Sequence, residues 1–374
     1  MTEQEIVRKL RQGIPFQGLS DIQLVEARPD KAPTTVQDNR RRPDIVLTLN
    51  VGETQVTVYC EIRSQVTPKL LEQIAPWLTR IKAVRPEGTC ALVCPFLSPA
   101  SQKYCQLNGI DFIDLCGNVL LRIPGKIFIE RVGRPNIYRE RQTLRNPFRG
   151  ASSRVLRVLL QSPKRVWTVT TIAKELEQES ERQNRKKAFV LSVSSISKTI
   201  QTLEQELLVR RDEQRIVVPE PRQLLFRWVD KYKEQYKRIQ QSGRTCRNPF
   251  GFNIESSVTG LLSRFKDMDI VVTGSAAAGT IAPVVNVDRI DVFVLRDMPD
   301  DILSALDRGQ SVGPDFLFIY PYDAGVFMYS RNVDGLPVVS DIQTWLDCYA
   351  RGGRDVNQAS YLLSSVIEKR WNKP

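Results

Sequence analysis

Hydrophobic and polar residues follow two different periods in the first third of the chain. A period of two, typical of strands, runs through residues 22–28, 43–51, 55–63, 90–98, 119–124 and 126–133, and a helical period runs through 68–84. The run GIDFIDLCGNVLL adds two β-stretches joined by a Gly-Asn turn. Strands interleaved with helices predict a mixed α/β sheet. We therefore expect an α/β domain over residues 1–135.

Helical periods dominate residues 136–245. One short amphipathic helix is predicted before Trp167 and another after it. A third helix carries apolar residues at a 3, 4, 3, 4 spacing. Those apolar residues are Val193, Ile196, Ile200, Leu203 and Leu207. The run 208–218 then alternates as two short strands would. Three helices followed by a hairpin resemble a winged helix-turn-helix, so we expect this basic segment and its connector to form one domain.

The polar side of the third helix has the chemistry of a DNA-reading surface. Its outward residues are Ser194, Ser195, Lys198, Gln201, Thr202 and Gln205. Such side chains can donate and accept hydrogen bonds at base edges in the major groove without repelling phosphates. The predicted hairpin carries Arg210, Arg211 and Arg215, which suit phosphate oxygens.

A long, basic connection precedes the third helix. Sixteen residues separate Leu176 from Val193, whereas the usual turn in this motif has three or four. The connection contains Arg185, Lys186 and Lys187, which we also count as candidate DNA-binding residues. Either the second helix extends into this stretch, or the basic run forms a separate phosphate-binding loop.

The distribution of charge supports a nucleic-acid partner. The formal net charge is +12, and residues 131–250 alone carry 27 basic and 12 acidic side chains. Residues 1–130 carry 16 and 14, and residues 251–374 carry 11 and 16. A basic block between near-neutral and acidic neighbours is the electrostatic pattern of a nucleic-acid-binding module. We expect double-stranded DNA as the partner of residues 136–245.

Composition narrows the chemistry that this chain can perform. Histidine is absent, which excludes catalytic triads with histidine and zinc sites that need histidine. Seven cysteines lie mostly in apolar runs and are expected to be buried free thiols of a reducing compartment. No apolar run reaches the 18 residues of a membrane span, and the start is charged rather than signal-like. We therefore expect a cytoplasmic protein without a membrane partner.

Two acidic positions in the first domain suggest an altered nuclease site. Pro43 and Asp44 begin one predicted strand, and Glu61, Ile62 and Arg63 end the next. This arrangement resembles the PD-(D/E)xK signature of the restriction-endonuclease-like fold, in which two carboxylates hold a divalent metal and a lysine assists the attacking water. Arginine replaces the lysine here and cannot act as a base. We expect a degenerate domain, with an active Mg²⁺-dependent nuclease and an unrelated α/β domain as open alternatives.

Residues 246–374 are acidic and alternate again between strand-like and helical patterns, which predicts a C-terminal α/β domain. Gly274 and Ser275, followed by Asp288 and Asp291, are similar to the GS and DxD motifs of nucleotidyltransferases. The spacing of the aspartates does not fit that motif. We therefore expect this domain to be catalytically inactive.

Several longer runs resemble the AbiEi-type antitoxin and transcriptional regulator family of type IV toxin-antitoxin systems. They are FIDLCGN, PRQLLFRWVDKY after the predicted winged helix, and VVSDIQTWLDCYARGGRDVNQAS near the end. The resemblance implies a bacterial DNA-binding protein that represses its own operon. It also implies a toxin or another protein as a partner. We leave open whether the chain also forms a homodimer.

These observations favour a non-enzymatic, sequence-specific regulator that binds duplex DNA and needs no cofactor. Two alternatives remain at this stage. The first is a metal-dependent DNA endonuclease with Asp44, Glu61 and Arg63 at its active site. The second is a plasmid- or replication-associated DNA-binding factor that uses the same winged-helix surface.

Overall fold

The computed structural model describes residues 1–19, 21–29, 42–86, 88–123, 127–138, 146–185, 187–264, 269–295 and 300–372. Contacts between residues divide the chain into two compact units. The first unit comprises Met1–Thr143 with Gln205–Leu207, and the second comprises Leu144–Glu204 with Leu208–Pro374.

A sheet of seven strands, counted over the described residues, forms the centre of the first unit. The strands lie side by side in chain order and are β1 (Ile22–Arg28), β2 (Ile45–Val51), β3 (Thr54–Ile62), β4 (Thr89–Cys94), β5 (Asp111–Asp114), β6 (Val119–Ile123) and β7 (Ile127–Arg131). Strands β3, β4 and β5 run parallel, and the remaining neighbours pair antiparallel. The predicted mixed α/β sheet is confirmed.

Helices cover both faces of this sheet. They are α1 (Glu3–Arg11), α2 (Pro68–Val84) and α3 (Pro99–Leu107). Helix α1 buries Ile6 in the same core as Val58, whereas α2 buries Leu71 in the same core as Tyr59. Since adjacent strand residues point to opposite faces, the two cores lie on opposite sides of the sheet. Helix α2 coincides with the helix predicted over 68–84, and the sequence pattern did not indicate α1 or α3.

Residues 153–217 form three helices and a hairpin, which we call the helix–hairpin segment. Its elements are α4 (Ser153–Gln161), α5 (Val169–Arg182), α6 (Val193–Gln205), β8 (Arg210–Asp212) and β9 (Arg215–Val217). The helices and the hairpin expected from the sequence pattern are therefore present. Threonine 168 caps α5 because its hydroxyl accepts a hydrogen bond from the backbone N–H of Thr171 at 3.1 Å.

A second mixed sheet occupies the rest of the chain. Its strands are β10 (Arg244–Cys246), β11 (Ile270–Thr273), β12 (Arg289–Val294), β13 (Asp315–Ile319), β14 (Arg331–Val333) and β15 (Leu336–Val338), in the spatial order β10-β13-β12-β11-β15-β14. The accompanying helices are α7 (Pro221–Gln241), α8 (Ile254–Arg264), α9 (Gly274–Ile281), α10 (Asp300–Arg308), α11 (Asp341–Arg351), α12 (Asp355–Leu362) and α13 (Glu368–Asn372). A π-helical turn over Leu363–Ile367 joins α12 to α13.

One apolar core joins the helix–hairpin segment to this second sheet and its helices. It contains Leu156 and Ile200 of the segment, Trp228 of α7, Phe327, and Trp345 of α11, all of them fully or almost fully buried. The domain boundary expected at residue 245 therefore falls inside a unit with a continuous core. Burial on this scale orders the segment and the C-terminal elements together.

The cysteines are free thiols, as expected. Six of the seven are buried, and Cys116 is half-buried. Burial raises the pKa of the Cys60 and Cys94 thiols well above the usual value, which leaves these sulfurs in the unreactive protonated form. Among the described residues, no helix combines the length and the apolar character needed to cross a membrane.

Candidate nucleic-acid interface

Helix α6 begins at a serine cap and buries one apolar stripe. The Ser192 hydroxyl accepts a hydrogen bond from the backbone N–H of Ser195 at 3.2 Å, which satisfies one free donor of the first turn. The predicted stripe residues Ile196, Ile200 and Leu203 are buried. Val193 was predicted to be buried and is 60% exposed, so that expectation was wrong. The first turn of α6 projects beyond the core, and the apolar spacing in the sequence does not show where the core ends.

The opposite side of α6 is polar and accessible. Ser194, Lys198 and Gln201 are exposed, whereas Ser195, Thr202 and Gln205 are half-buried. The Thr202 hydroxyl donates a hydrogen bond to the backbone carbonyl of Lys198 at 3.0 Å, and its oxygen can still accept one. Glu204 is the first acidic residue of this helix. The exposed face is therefore made of side chains that suit base edges and tolerate phosphates.

Three arginines of the hairpin are exposed. Arg210 lies opposite Val217 in the ladder, Arg211 opposite Ile216, and Asp212 opposite Arg215. The turn between β8 and β9 contains Glu213 at a positive φ of 50°. The Arg211 Nε donates to the carbonyl of Glu213 at 3.1 Å, which holds this side chain over the turn.

These cations have no carboxylate partners in the part of the chain that the structure describes. The salt bridges of that part include none with Lys198, Arg210, Arg211 or Arg215. An exposed guanidinium without a carboxylate partner can donate hydrogen bonds to an external anion. Arg210 and Arg215 make no described side-chain hydrogen bond, and Arg211 uses only its Nε, so the hairpin presents donors for phosphates although Asp212 and Glu213 lie beside them.

A backbone bridge ties the hairpin to the segment between α4 and α5. The N–H of Trp167 donates to the carbonyl of Ile216 at 2.9 Å, and the N–H of Ile216 donates to the carbonyl of Trp167 at 2.7 Å. Both side chains are buried. The hairpin therefore has a third, one-residue strand beside β9, which the sequence pattern did not indicate. In the sequence, the tryptophan directly before the Thr168 cap of α5 was the feature that could have indicated this bridge.

The basic connection before α6 is not a uniform phosphate-binding loop. Helix α5 extends to Arg182, so the first of the two alternatives for this stretch is correct. Arg185 makes a two-bond ion pair with Asp269, and its guanidinium lies 4.2 Å from the centre of the Phe327 ring. Lys187 is exposed at a positive φ of 52°. The prediction for Lys186 lies outside the described residues.

The candidate nuclease residues meet at one end of β2 and β3. The N–H of Ile62 donates to Asp44 Oδ2 at 2.7 Å, which fixes the Asp44 carboxylate at the strand edge. The Arg63 guanidinium forms an ion pair with Glu61, and its Nη1 lies 3.8 Å from Asp44 Oδ2. A positive side chain therefore already lies beside both carboxylates.

This arrangement does not fit a divalent metal. The Glu61 carboxylate is buried and engaged by Arg63, so binding of Mg²⁺ would require breaking that pair and placing two cations side by side. No group of three or more cysteine, aspartate or glutamate side chains within the described ranges is arranged to hold a metal ion. A shallow cavity of about 540 Å³ beside Asp44 and Ile62 is lined by α1 residues that include Arg8 and Arg11.

Asp114 caps the turn between β5 and β6. Its carboxylate accepts hydrogen bonds from the backbone N–H groups of Cys116, Asn118 and Leu97 at 2.9, 2.9 and 3.0 Å. The Asn118 side chain donates a fourth at 2.7 Å. Burial raises the pKa of Asp114, and these hydrogen bonds oppose that effect. The carboxylate therefore stabilises the turn between β5 and β6.

The two aspartates of the predicted GS and DxD motifs are engaged in internal ion pairs. Asp291 is buried, and Arg289 holds both of its oxygens at 2.6 and 3.1 Å. Asp288 pairs with Arg351 at 2.9 Å and with Arg354 at 2.7 Å. Gly274 begins α9 at a positive φ of 61°. These contacts give the aspartates structural partners.

Comparisons with protein-family models, with curated proteins and with solved structures found no match to this chain.

Proposed function

We propose that this protein is a sequence-specific regulator that binds duplex DNA, and that residues 153–217 act as a winged helix-turn-helix. The observation that carries the proposal is the surface formed by α6 and the hairpin. There, exposed Lys198 and Gln201 lie on the helix that follows α5, and the arginines of the next hairpin have no described carboxylate partner. Such a surface combines the chemistry of base reading with that of phosphate binding.

The order of the elements supports this assignment. In the proposed complex, α6 enters the major groove and the hairpin follows the sugar-phosphate backbone beside it. The bridge between Trp167 and Ile216 adds a third, one-residue strand beside β9. Arg210, Arg211 and Arg215 therefore lie on strands that are hydrogen-bonded to each other and to the rest of the segment, and not on a free loop. A fixed hairpin loses less conformational entropy when it binds phosphates.

The regulatory part of the proposal depends on the family resemblance. We infer an antitoxin-like transcriptional repressor that acts on its own operon, with a toxin or another protein as a further partner. A plasmid- or replication-associated factor would use the same surface. Chromatin immunoprecipitation separates the two, because a repressor occupies DNA upstream of its own gene and a replication factor occupies an origin.

The first unit has a non-catalytic role in this proposal. The pairing of Arg63 with Glu61, close to Asp44, leaves neither the metal site nor the base that hydrolysis of a phosphodiester requires. The endonuclease alternative therefore has the positions of Asp44 and Glu61 in its favour and the pairing with Arg63 against it.

A direct test uses the full chain and two labelled duplexes in fluorescence anisotropy. One duplex covers the DNA upstream of the gene, and the other has the same composition in shuffled order. We expect the upstream duplex to bind at least ~10³-fold more tightly, and log K to fall linearly with log salt concentration for both. Equal affinity for both duplexes would contradict specific recognition of the DNA upstream of the gene, and affinity independent of salt would contradict the phosphate-binding surface.

A further inference from the structure

A small cavity lies between α4, α7 and the loop 321–326, away from the proposed DNA surface. Its volume is about 20 Å³. The lining includes Ser153 and Arg157 of α4, Trp228, Tyr232 and Gln235 of α7, and Asp323. All of these residues belong to the second unit.

Two lining residues have buried hydrogen-bond donors without acceptors. Arg157 is only 4% exposed, and its Nε and Nη1 have no partner among the described residues. The indole N–H of Trp228 is also buried without a partner, and the Arg157 guanidinium lies 5.0 Å from the centre of that ring. Buried donors without partners are unfavourable, and a buried cation is more so. The cavity therefore presents donors and positive charge but lacks an acceptor.

The nearby carboxylates do not supply that acceptor. Asp323 holds Arg154, whose Nε lies 2.9 Å from Asp323 Oδ1. Asp347 accepts hydrogen bonds from the Tyr232 hydroxyl at 2.6 Å and from Gln343 at 2.8 Å. Neither carboxylate makes a hydrogen bond with Arg157 in the described part of the chain. Burial lowers the pKa of Arg157, which agrees with a guanidinium that is poorly compensated.

We propose that this cavity is a binding site for a small monovalent anion, held by the Arg157 guanidinium and the Trp228 indole N–H. Its volume only slightly exceeds the roughly 10–15 Å³ that one water needs, so the ligand is expected to be no larger than a halide ion. Asp323 and Asp347 compensate the charge of Arg157 only at a distance, without a hydrogen bond to it. A water would supply an acceptor alone, whereas an anion supplies both an acceptor and a charge. The bound anion would link α4 to α7 and stabilise the second unit, a role that goes beyond DNA binding.

The test measures thermal unfolding of the full chain in sodium gluconate, whose anion is too large for the cavity. Chloride or bromide then replaces gluconate at constant ionic strength and pH. We expect Tm to rise with the logarithm of the anion concentration above Kd, by roughly 3–6 °C at ten times Kd. Arg157→Met should abolish the rise, because the substitution keeps the volume of the side chain and removes its charge. Arg238→Met, at an exposed position of α7, is the matched control and should keep the rise.

Bromide soaked into crystals of the wild-type protein provides a second measurement that does not depend on a variant. An anomalous peak in contact with Arg157 and Trp228 supports the proposal. A water at that position, with bromide elsewhere only, would overturn it. Retention of the full Tm rise in Arg157→Met would also overturn it. Neither readout involves DNA, so a failure here is distinct from a failure of the proposed function.

Discussion

Trp167 and Ile216 exchange a pair of backbone hydrogen bonds although 49 positions separate them in the chain. The bridge joins the residue before α5 to the second strand of the hairpin. Both side chains are buried in the core that also contains apolar residues of α4 and α6. This shared core therefore fixes the position of the hairpin, with its arginines, relative to the proposed reading helix.

Removing the Trp167 side chain should therefore loosen the hairpin. We expect Trp167→Ala to lower the free energy of unfolding of the second unit by about 3–5 kcal/mol, the usual range for a buried aromatic residue. Trp167→Phe should retain most of the stability, although it loses the indole hydrogen bond to the Ser162 carbonyl at 3.2 Å. Urea unfolding measures both variants. Equal stability of Trp167→Ala and wild type would contradict the anchoring role.

The hairpin arginines are expected to bind phosphates. Changing Arg210, Arg211 and Arg215 together to alanine should weaken binding to every duplex and reduce the salt slope by about three. The control changes Lys103, Arg264 and Arg308 to alanine, which removes the same charge from exposed positions elsewhere. Anisotropy titrations at several salt concentrations give both quantities. If the control reduces affinity as much as the hairpin variant, net charge rather than the hairpin determines binding.

The outward face of α6 is expected to read bases. The double variant Lys198→Ala, Gln201→Ala should reduce discrimination between the upstream and shuffled duplexes by about 1–3 kcal/mol for each good base contact. Affinity for shuffled DNA should change much less. The matched control, Lys174→Ala with Gln178→Ala, removes the same residue types from exposed positions on α5. Unchanged discrimination in the α6 variant would contradict its assignment as the reading helix.

The position of Arg63 predicts that the wild-type protein does not cleave DNA. Supercoiled plasmid should remain intact with Mg²⁺ or Mn²⁺, because a guanidinium occupies the place between Glu61 and Asp44. Arg63→Lys and Asp44→Ala are compared under the same conditions on agarose gels. Cleavage by wild type that disappears in Asp44→Ala would overturn the non-enzymatic assignment. Cleavage that appears only in Arg63→Lys would show that one substitution separates this unit from a nuclease.

Asp347 predicts a pH-dependent stability. Burial raises its pKa to about 6, and hydrogen bonds from Gln343, Thr273 and Tyr232 oppose that rise. A folded-state pKa above the unfolded value means that the neutral carboxyl stabilises the fold at low pH and that this contribution is lost as pH rises through about 6. Between pH 4 and 7, wild type should lose roughly 2 kcal/mol of stability relative to Asp347→Asn. Urea unfolding of both proteins across this range provides the measurement, and parallel pH profiles would contradict it.

Local patterns predicted the elements whose burial follows from their own sequence. Helix α2 and the strands of the first sheet carry apolar residues at the expected period, so their positions were readable from the chain alone. The same is true of the α6 stripe from Ile196 to Leu203. Val193 continues that spacing but lies past the end of the core. The apolar period shows which face of a helix is apolar, but it does not show how far along the helix the core extends.

Sequence reasoning did not indicate the partners of residues whose contacts lie far along the chain. Arg157 lies in α4, most of whose residues are buried. Residues of α7 line the cavity beside its side chain. Arg185 was counted as a DNA-binding residue on local charge, yet Asp269 engages it from 84 positions away. No spacing rule indicates such pairs, because ion pairs across a fold depend on tertiary contacts.

The apolar core that runs from α4 to α11 also limits how such a protein can change its target. A recombination event that exchanged residues 153–217 alone would transfer only part of this core. In the recipient protein, Leu156 and Ile200 would then pack against other residues in place of Trp345 and Phe327. The proposed reading surface could therefore not be transferred as a separate unit. If α6 reads DNA as proposed, new sequence preferences would have to arise by substitutions on its exposed side, one side chain at a time.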